Sequence, residues 1–218
     1  MFAVFIISTL SANASLYNRG TDVNGNRLIY DSDLNITWYD YTKSLDNWWN
    51  QMSWASALTV NFGGIIFNDW RLPSTVDGPW ISGLTFGYNI TTSEMGHLSY
   101  TELRNKAYCD TAGNCPQSGW GLTNTGDFQN LKAYADSGAG LYYWSETERA
   151  DGAYVFGFWN GKQTAPNKLG GGGVGAAIAV RSGDVTIVPE PISSILFVTG
   201  GTLLMCKKYL KKAKNNKH

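Results

Sequence analysis

The sequence predicts an α+β fold of short strands and long loops, with one or two helices. Three observations carry this. Aromatics are dense, with nine Trp, twelve Tyr and nine Phe, and glycine occurs 25 times, a composition that suits pleated surfaces joined by turns. Runs such as RLIY, ITWY and YVFGFW are strand-like and bounded by turn residues. Stretches with helical periodicity are few.

Taken in order, Phe2 to Leu10 is an apolar run, and Ala12-Asn13-Ala14 has the A-x-A form of a signal-peptide cleavage site. Residues 1–14 are therefore read as a signal peptide, although no positive residue precedes the run. Asp22-Val23-Asn24-Gly25-Asn26 has the look of a calcium loop, but it lacks the closing bidentate Glu and reads as a solvated turn. Residues 26–40, NRLIYDSDLNITWYD, read as a hairpin with its turn at Asp31 to Asn35.

The best helix follows, in SLDNWWNQMSWASALTVNF. Met52, Ala55, Leu58 and Thr59 fall at helical spacing, Asp46 or Ser53 is the expected cap, and Gly63-Gly64 the expected stop. Trp54 is expected to bury one of its faces. In NDWRLPS, Pro73 pushes Leu72 towards extended geometry. Trp70 and Leu72 then enter the core while Arg71 points elsewhere, its fork free for a carboxylate or backbone carbonyls. A second helix is expected over Ser93 to Leu103, capped by Ser93 and weakened by Gly96, and a short one over Asp127 to Tyr134. YYWSETE, YVFGFWNGK and GAAIAVRSGDV read as closing strands, with a bulge at Gly157 and a tight turn at Asn160-Gly161. Gly170 to Gly173 lacks a P-loop lysine-serine and reads as a flexible loop.

The chain ends in VPEPISSILFVTGGTLLMCKKYLKKAKNNKH. Residues 192–206 carry no charge, and as a helix they cover roughly 22 Å against the ~30 Å hydrocarbon core. Lys207, Lys208, Lys211 and Lys212 flank this marginal span, can snorkel to headgroups, and place the terminus in the cytoplasm by the positive-inside rule. Six of the seventeen basic residues and one of the seventeen acidic ones, Glu190, lie in this tail, leaving eleven basic against sixteen acidic residues elsewhere. The rest of the chain is therefore mildly acidic, with no basic face for nucleic acid.

Two resemblances follow. Pro189-Glu190-Pro191, an apolar helix and a basic terminus together resemble the PEP-CTERM sorting signal of exported bacterial proteins. That implies a transmembrane helix over 192–206, recognition by an exosortase-type transpeptidase, and association with exopolysaccharide or biofilm matrix. The lysine tail is longer than the usual arginine-rich end. The pieces LNITWYD, MSWASAL, GGIIFNDWRLPS, YYWSETE, YVFGFWNGK and AIAVRSGD, in that order, resemble the Lcl C-terminal domain family, a domain of unknown function. TTSEMGHLSY looks like the version of that family carrying a PEP-CTERM tail. The resemblance implies a C-type-lectin-like fold: a small twisted antiparallel sheet, flanking helices and long loops. The chain lacks the cysteines that many relatives carry near the helix and the final strand. The expected organisation is a signal peptide over 1–14, an Lcl C-terminal-like exported domain over 15–186 and a sorting signal over 187–218.

No catalytic residue is assigned. His97 is the one histidine outside the tail, no G-x-S-x-G elbow occurs, and His97 is expected to be structural beside Glu94. Glu146 and Glu148 are two apart on one strand, whereas glycosidase carboxylates face each other across a cleft. Cys109 and Cys115 are candidates for a small disulfide loop in an oxidising compartment; a zinc pair is the competing reading, and it lacks partner ligands. A formylglycine-generating-like enzyme, suggested by fold analogy, needs a thiol pair near the closing strands, and these cysteines lie upstream. No metal or cofactor is expected. Trp80, Trp120, Tyr142 and Tyr143 lie near polar loop segments and are the candidate contacts for a sugar ring. The expected function is a non-catalytic exported or surface-anchored protein associated with extracellular polysaccharide. The alternative is an adhesion or structural surface protein without a defined ligand.

Overall fold

The computed structural model describes residues 15–79, 81–168 and 175–186. The chain divides after Val185, and the description below concerns the first unit. It has an α+β architecture, mostly sheet with two short helices. The strands are β1 (Leu16–Thr21), β2 (Arg27–Asp31), β3 (Ile36–Asp46), β4 (Val60–Phe62), β5 (Ile65–Phe67), β6 (Tyr143–Arg149), β7 (Gly152–Gly157), β8 (Lys162–Thr164) and β9 (Gly175–Ser182). The helices are α1 (Trp48–Ala57) and α2 (Glu94–His97), the latter running into a π-helical turn at Leu98–Glu102.

Seven strands form one sheet in the order β1-β2-β3-β9-β6-β7-β8, and β4-β5 is a separate hairpin. The large sheet is not wholly antiparallel: β6 meets β9 in parallel at Tyr143 and Ala176. The last strand thus lies between the early hairpin β2-β3 and the late hairpin β6-β7, with the irregular tract 68–142 inserted between them in sequence.

Alternation along β9 explains its position. Ala176, Ile178 and Val180 face a core with Trp38, Met95, Leu98, Phe156 and Phe158. Ala177 faces Trp48, Leu72 and Trp144, and Ala179 faces Leu28, Tyr39 and Trp70. A strand buried on both faces reads as a continuous apolar run, and its alanines leave room for three indoles on one side. The hairpin expected over 26–40 is present as β2 and β3. Ile29, Ile36 and Trp38 point to the first core, Leu28 and Tyr39 to the face with Trp70.

The helices differ from expectation in their ends. Asn47 caps α1, its side chain accepting from the Asn50 N–H, and Leu58 is already extended. Gly63-Gly64 does not stop the helix; it forms the β4-β5 turn, both residues with positive φ (59° and 83°). The buried face of α1 is Trp48, Gln51 and Ala55, with Trp54 half-buried beside it. Ser93 caps α2 as expected, its Oγ accepting from Gly96 N–H at 3.0 Å.

No helix forms over 127–134. Its backbone groups are taken by side chains instead. The buried Asp40 carboxylate accepts from the Gln129 and Asn130 N–H groups at 2.7 and 2.9 Å, and the Tyr143 hydroxyl receives the Lys132 N–H and donates to its carbonyl. The expected bulge at Gly157 is absent. The β7-β8 register runs regularly through it, and a Cβ there would meet Asn160 Oδ1 at 2.8 Å, so close packing selects glycine. The irregularity lies in β6, between Trp144 and Glu148.

Among the described residues no helix is long and apolar enough to cross a membrane.

Candidate functional site: an aromatic groove beside a disulfide loop

WRLPS anchors the loop tract to the sheet. Arg71 exchanges both backbone hydrogen bonds with Val180 on β9 (2.8 and 2.9 Å), and the Glu146 N–H on β6 donates to the Pro73 carbonyl. Trp70 and Leu72 are buried. The Arg71 guanidinium makes a two-pronged pair with Glu94 at 2.8 and 2.7 Å and also donates to the Leu72 carbonyl. Glu94 accepts from the Ser74 N–H as well. Its hydrogen bonds hold Arg71 firmly charged. Glu146 lies 3.6 Å from Arg71; burial pushes its carboxyl up, Arg71 opposes this, and Glu94 adds to it. Glu148 turns to Lys168 instead, so the two glutamates serve different partners.

Beyond this anchor, Cys109 and Cys115 are joined by a disulfide. The loop they enclose is organised by Asp110, whose carboxylate accepts from the Ala112 and Asn114 N–H groups and the Asn114 amide. Those bonds, led by Asn114, hold the Asp110 carboxyl below its ordinary value. Against the loop lies a groove of about 580 Å³ whose lining includes Ser82, Tyr88, Asn89, Asp110 and Thr111. The Asn89 amide donates to the Cys109 carbonyl at 2.9 Å, fixing one wall.

An aromatic chain backs the groove. Tyr88 stacks at a tilt on Tyr108 (6.3 Å between centroids), and Tyr108 meets Trp120 edge-on at 4.9 Å. Burial first, then Tyr142 and Tyr108, push the Tyr88 phenol above its ordinary value, which puts Tyr142 in the same neighbourhood. Tyr142 also packs edge-on against Trp159 at 6.1 Å. Two of the residues singled out from the sequence, Trp120 and Tyr142, therefore belong to this half-buried aromatic assembly. Tyr143 does not: it is fully buried and its hydroxyl is consumed by Thr42 and Lys132, so it is a core residue rather than a ligand contact. Its side chain points to the opposite face from Tyr142, as strand alternation requires. Trp80 lies outside the described residues.

Tyr88 and Asn89, which line the groove, and Tyr108, which packs on Tyr88 behind it, were not singled out from the sequence. Their signal was the aromatic-amide pair Tyr88-Asn89 and the tyrosine preceding Cys109. A second hollow, about 420 Å³, lies between Tyr41–Leu45 of β3 and the loop carrying Lys132 and Asp136.

His97 also departs from expectation. Its Nε2 lies 3.2 Å from Glu102 and 3.9 Å from Asp33, while Glu94 is committed to Arg71. Ser15 Oγ bonds to Glu102, so serine and histidine share an acid instead of forming the nucleophile–base pair of a triad. The sequence indicated no metal-ligand cluster, yet Asp31, His97 and Glu102 place ligand atoms within 4.8 Å of one another.

The sorting-signal residues Pro189, Glu190 and Pro191, the apolar run 192–206, Lys207, Lys208, Lys211 and Lys212, the leader 1–14 and the glycine run 170–173 lie outside the described residues. No family model, no curated protein and no solved structure matches this chain.

Proposed function

We propose that the chain is an exported, surface- or matrix-associated, non-catalytic protein whose loop-face groove holds an extracellular polysaccharide. The fold is read as C-type-lectin-like, and the tail as a signal processed by an exosortase-type transpeptidase. The observation carrying the binding reading is the groove beside the disulfide loop. Tyr88 offers an apolar ring face, while Ser82, Asn89, Asp110 and Thr111 bring hydroxyl, amide and carboxylate groups to the same lining. Sugar rings need that pairing of stacking face and polar rim. The fold reading is supported by the sheet, the two short helices and the long inserted tract 68–142 that presents the groove. The sorting reading is supported by the order of parts in residues 189–218 and by the division of the chain just upstream, after Val185.

Two experiments test these readings. The chain purified from its native host is screened against the host's own exopolysaccharide and a glycan array. Saturable binding is expected, weakened about threefold to tenfold by Tyr88→Ala, the range an aromatic contact carries. Weak, unsaturable binding to many surfaces supports the adhesion alternative and ends the ligand reading. Separately, intact mass of the surface fraction is compared before and after replacing Pro189-Glu190-Pro191 with alanines. Unchanged maturation removes the sorting assignment.

A further inference from the structure

We propose that Asp31, His97 and Glu102 form a binding site for one divalent transition-metal cation, Zn²⁺ being the best fit, which pins the β2-β3 turn to the α2 tract. The inference is independent of polysaccharide binding.

The geometry begins with an unusual spacing. His97 and Glu102 are five residues apart, which on an α-helix separates two side chains widely around the axis. Here the chain passes from α2 into the π-helical turn Leu98–Glu102, and the wider turn brings the Glu102 carboxylate to 3.2 Å from His97 Nε2. Single π-turns of this kind occur often at functional sites. Asp31 arrives from the end of β2, on the other side of the cluster. The three ligand atoms lie within 4.8 Å of one another. Tetrahedral zinc with bonds near 2.0–2.1 Å needs its ligand atoms roughly 3.3 Å apart. The His97–Glu102 distance already meets this; the other pairs, no more than 4.8 Å apart, must close by up to about 1.5 Å on binding.

The unpartnered atom points to a ligand. Asp31 is fully buried, and its Oδ1 accepts from the Asp33 and Leu34 N–H groups. Its Oδ2 is buried without a hydrogen-bond partner. The Trp38 indole N–H lies close enough to favour the charged carboxylate as a hydrogen-bond donor does, but the contact falls short of hydrogen-bond geometry and leaves both that nitrogen and Oδ2 without a full partner. A carboxylate oxygen buried in this way is expected to meet a cation or a donor. Glu102, 4% exposed, is oriented by Ser15, whose N–H and hydroxyl donate to its two oxygens at 2.8 and 3.0 Å. Backbone and hydroxyl donors that hold carboxylates in place are the outer shell that metal sites require.

Charge and chemistry select the ion. Asp31, Glu102 and the half-exposed Asp33, 3.9 Å from Nε2, bring three carboxylates to a histidine that carries at most one positive charge. A dication balances them. One imidazole with two or three carboxylate oxygens suits zinc and its first-row neighbours; Ca²⁺ and Mg²⁺ favour all-oxygen sets of six or more. The His97 side chain is 16% exposed, which leaves a path for entry and a fourth position for water or Asp33.

The test uses the full-length chain without an affinity tag, stripped with chelator and titrated with Zn²⁺ alone. One equivalent is expected to bind with a Kd below about 10⁻⁶ M, unaffected by a large excess of Ca²⁺ or Mg²⁺. Asp31→Asn keeps Oδ1 for the turn and replaces only the free oxygen. It and His97→Gln are each expected to weaken binding by about 100-fold or more, beyond the effect of losing an outer-shell partner. His218→Ala, at the other histidine, should change nothing. If a variant does not fold, zinc-edge X-ray absorption on the unaltered chain decides: a first shell of nitrogen and oxygen alone supports the site, and sulfur ligation overturns it. Absence of a saturable site, or full affinity retained in His97→Gln, also overturns it.

Discussion

Replacing Arg71 with alanine should cost more stability than its partly exposed position suggests. The guanidinium makes three hydrogen bonds of 2.7–3.0 Å, two to the Glu94 carboxylate and one to the Leu72 carbonyl. Glu94, its side chain 13% exposed, would keep only the Ser74 N–H. Breaking a fully buried ion pair costs about 3–5 kcal/mol and an exposed one under about 1. With Arg71 at 28% exposure and one residual donor on Glu94, the expected loss is about 2–3 kcal/mol. Arg71→Lys keeps the charge but not the fork, and should lose about half as much. Urea unfolding of the full chain, followed by tryptophan fluorescence, reads the midpoint at constant slope. The Arg71→Ala/Glu94→Ala cycle should return a coupling of about 1–2 kcal/mol. A single-variant loss below about 0.5 kcal/mol, or a coupling near zero, would refute the view that this pair holds WRLPS between β6, β9 and α2.

Two further outcomes are expected. Glu146→Gln should stabilise the protein at neutral pH by less than about 1 kcal/mol. Burial raises this carboxyl in the folded state, so its contribution is most favourable below the ordinary carboxylate range and declines as pH rises through the folded value. The advantage of Gln should therefore shrink as pH is lowered through that range; an advantage independent of pH, or its reversal at pH 7, removes the burial argument. Gly96→Ala should destabilise by about 1–3 kcal/mol despite alanine's helix preference, because overpacking outweighs propensity. The added Cβ would sit 2.0 Å from the Ile90 carbonyl and 2.7 Å from Ser93 Oγ, which caps α2. Thermal melting at matched concentration shows the sign, and a stabilised variant would contradict the packing described at α2.

How far the sequence exposed this architecture depended on whether the stabilising interactions were local. The β2-β3 hairpin was legible because Ile29, Ile36 and Trp38 alternate with residues of the other face, a pattern written within a dozen residues. The existence of α1 was legible for the same reason. Its start was not, since capping fell to Asn47 ahead of the Trp48-Trp49-Asn50 run, which carries no periodic signal. The metal-ligand cluster was hidden twice: Asp31 joins it only through the sheet, and His97 and Glu102 share a face only because the helix widens into a π-turn.

The loop tract presents the deeper case, because buried polar side chains organise much of its backbone beside its apolar anchors such as Met95, Leu98, Leu103 and Phe128. Asn105 is buried, its Oδ1 accepts from the N–H groups of Thr123 and Asn124, and its amide donates to the Asn124 carbonyl. Asp40 and Asp110 collect backbone N–H groups in the same way. In a sequence such residues look like solvated turn formers. Here each replaces a length of helix or sheet by satisfying backbone groups that an irregular segment cannot pair with itself. This is how a tract with little regular structure holds Tyr88, Tyr108 and Trp120 in one assembly. A side-chain hydrogen bond to the backbone fixes a loop without filling the space beside it. A groove built on such loops therefore keeps its shape while the aromatic side chains beside it, Tyr88, Tyr108 and Trp120, stay half-buried.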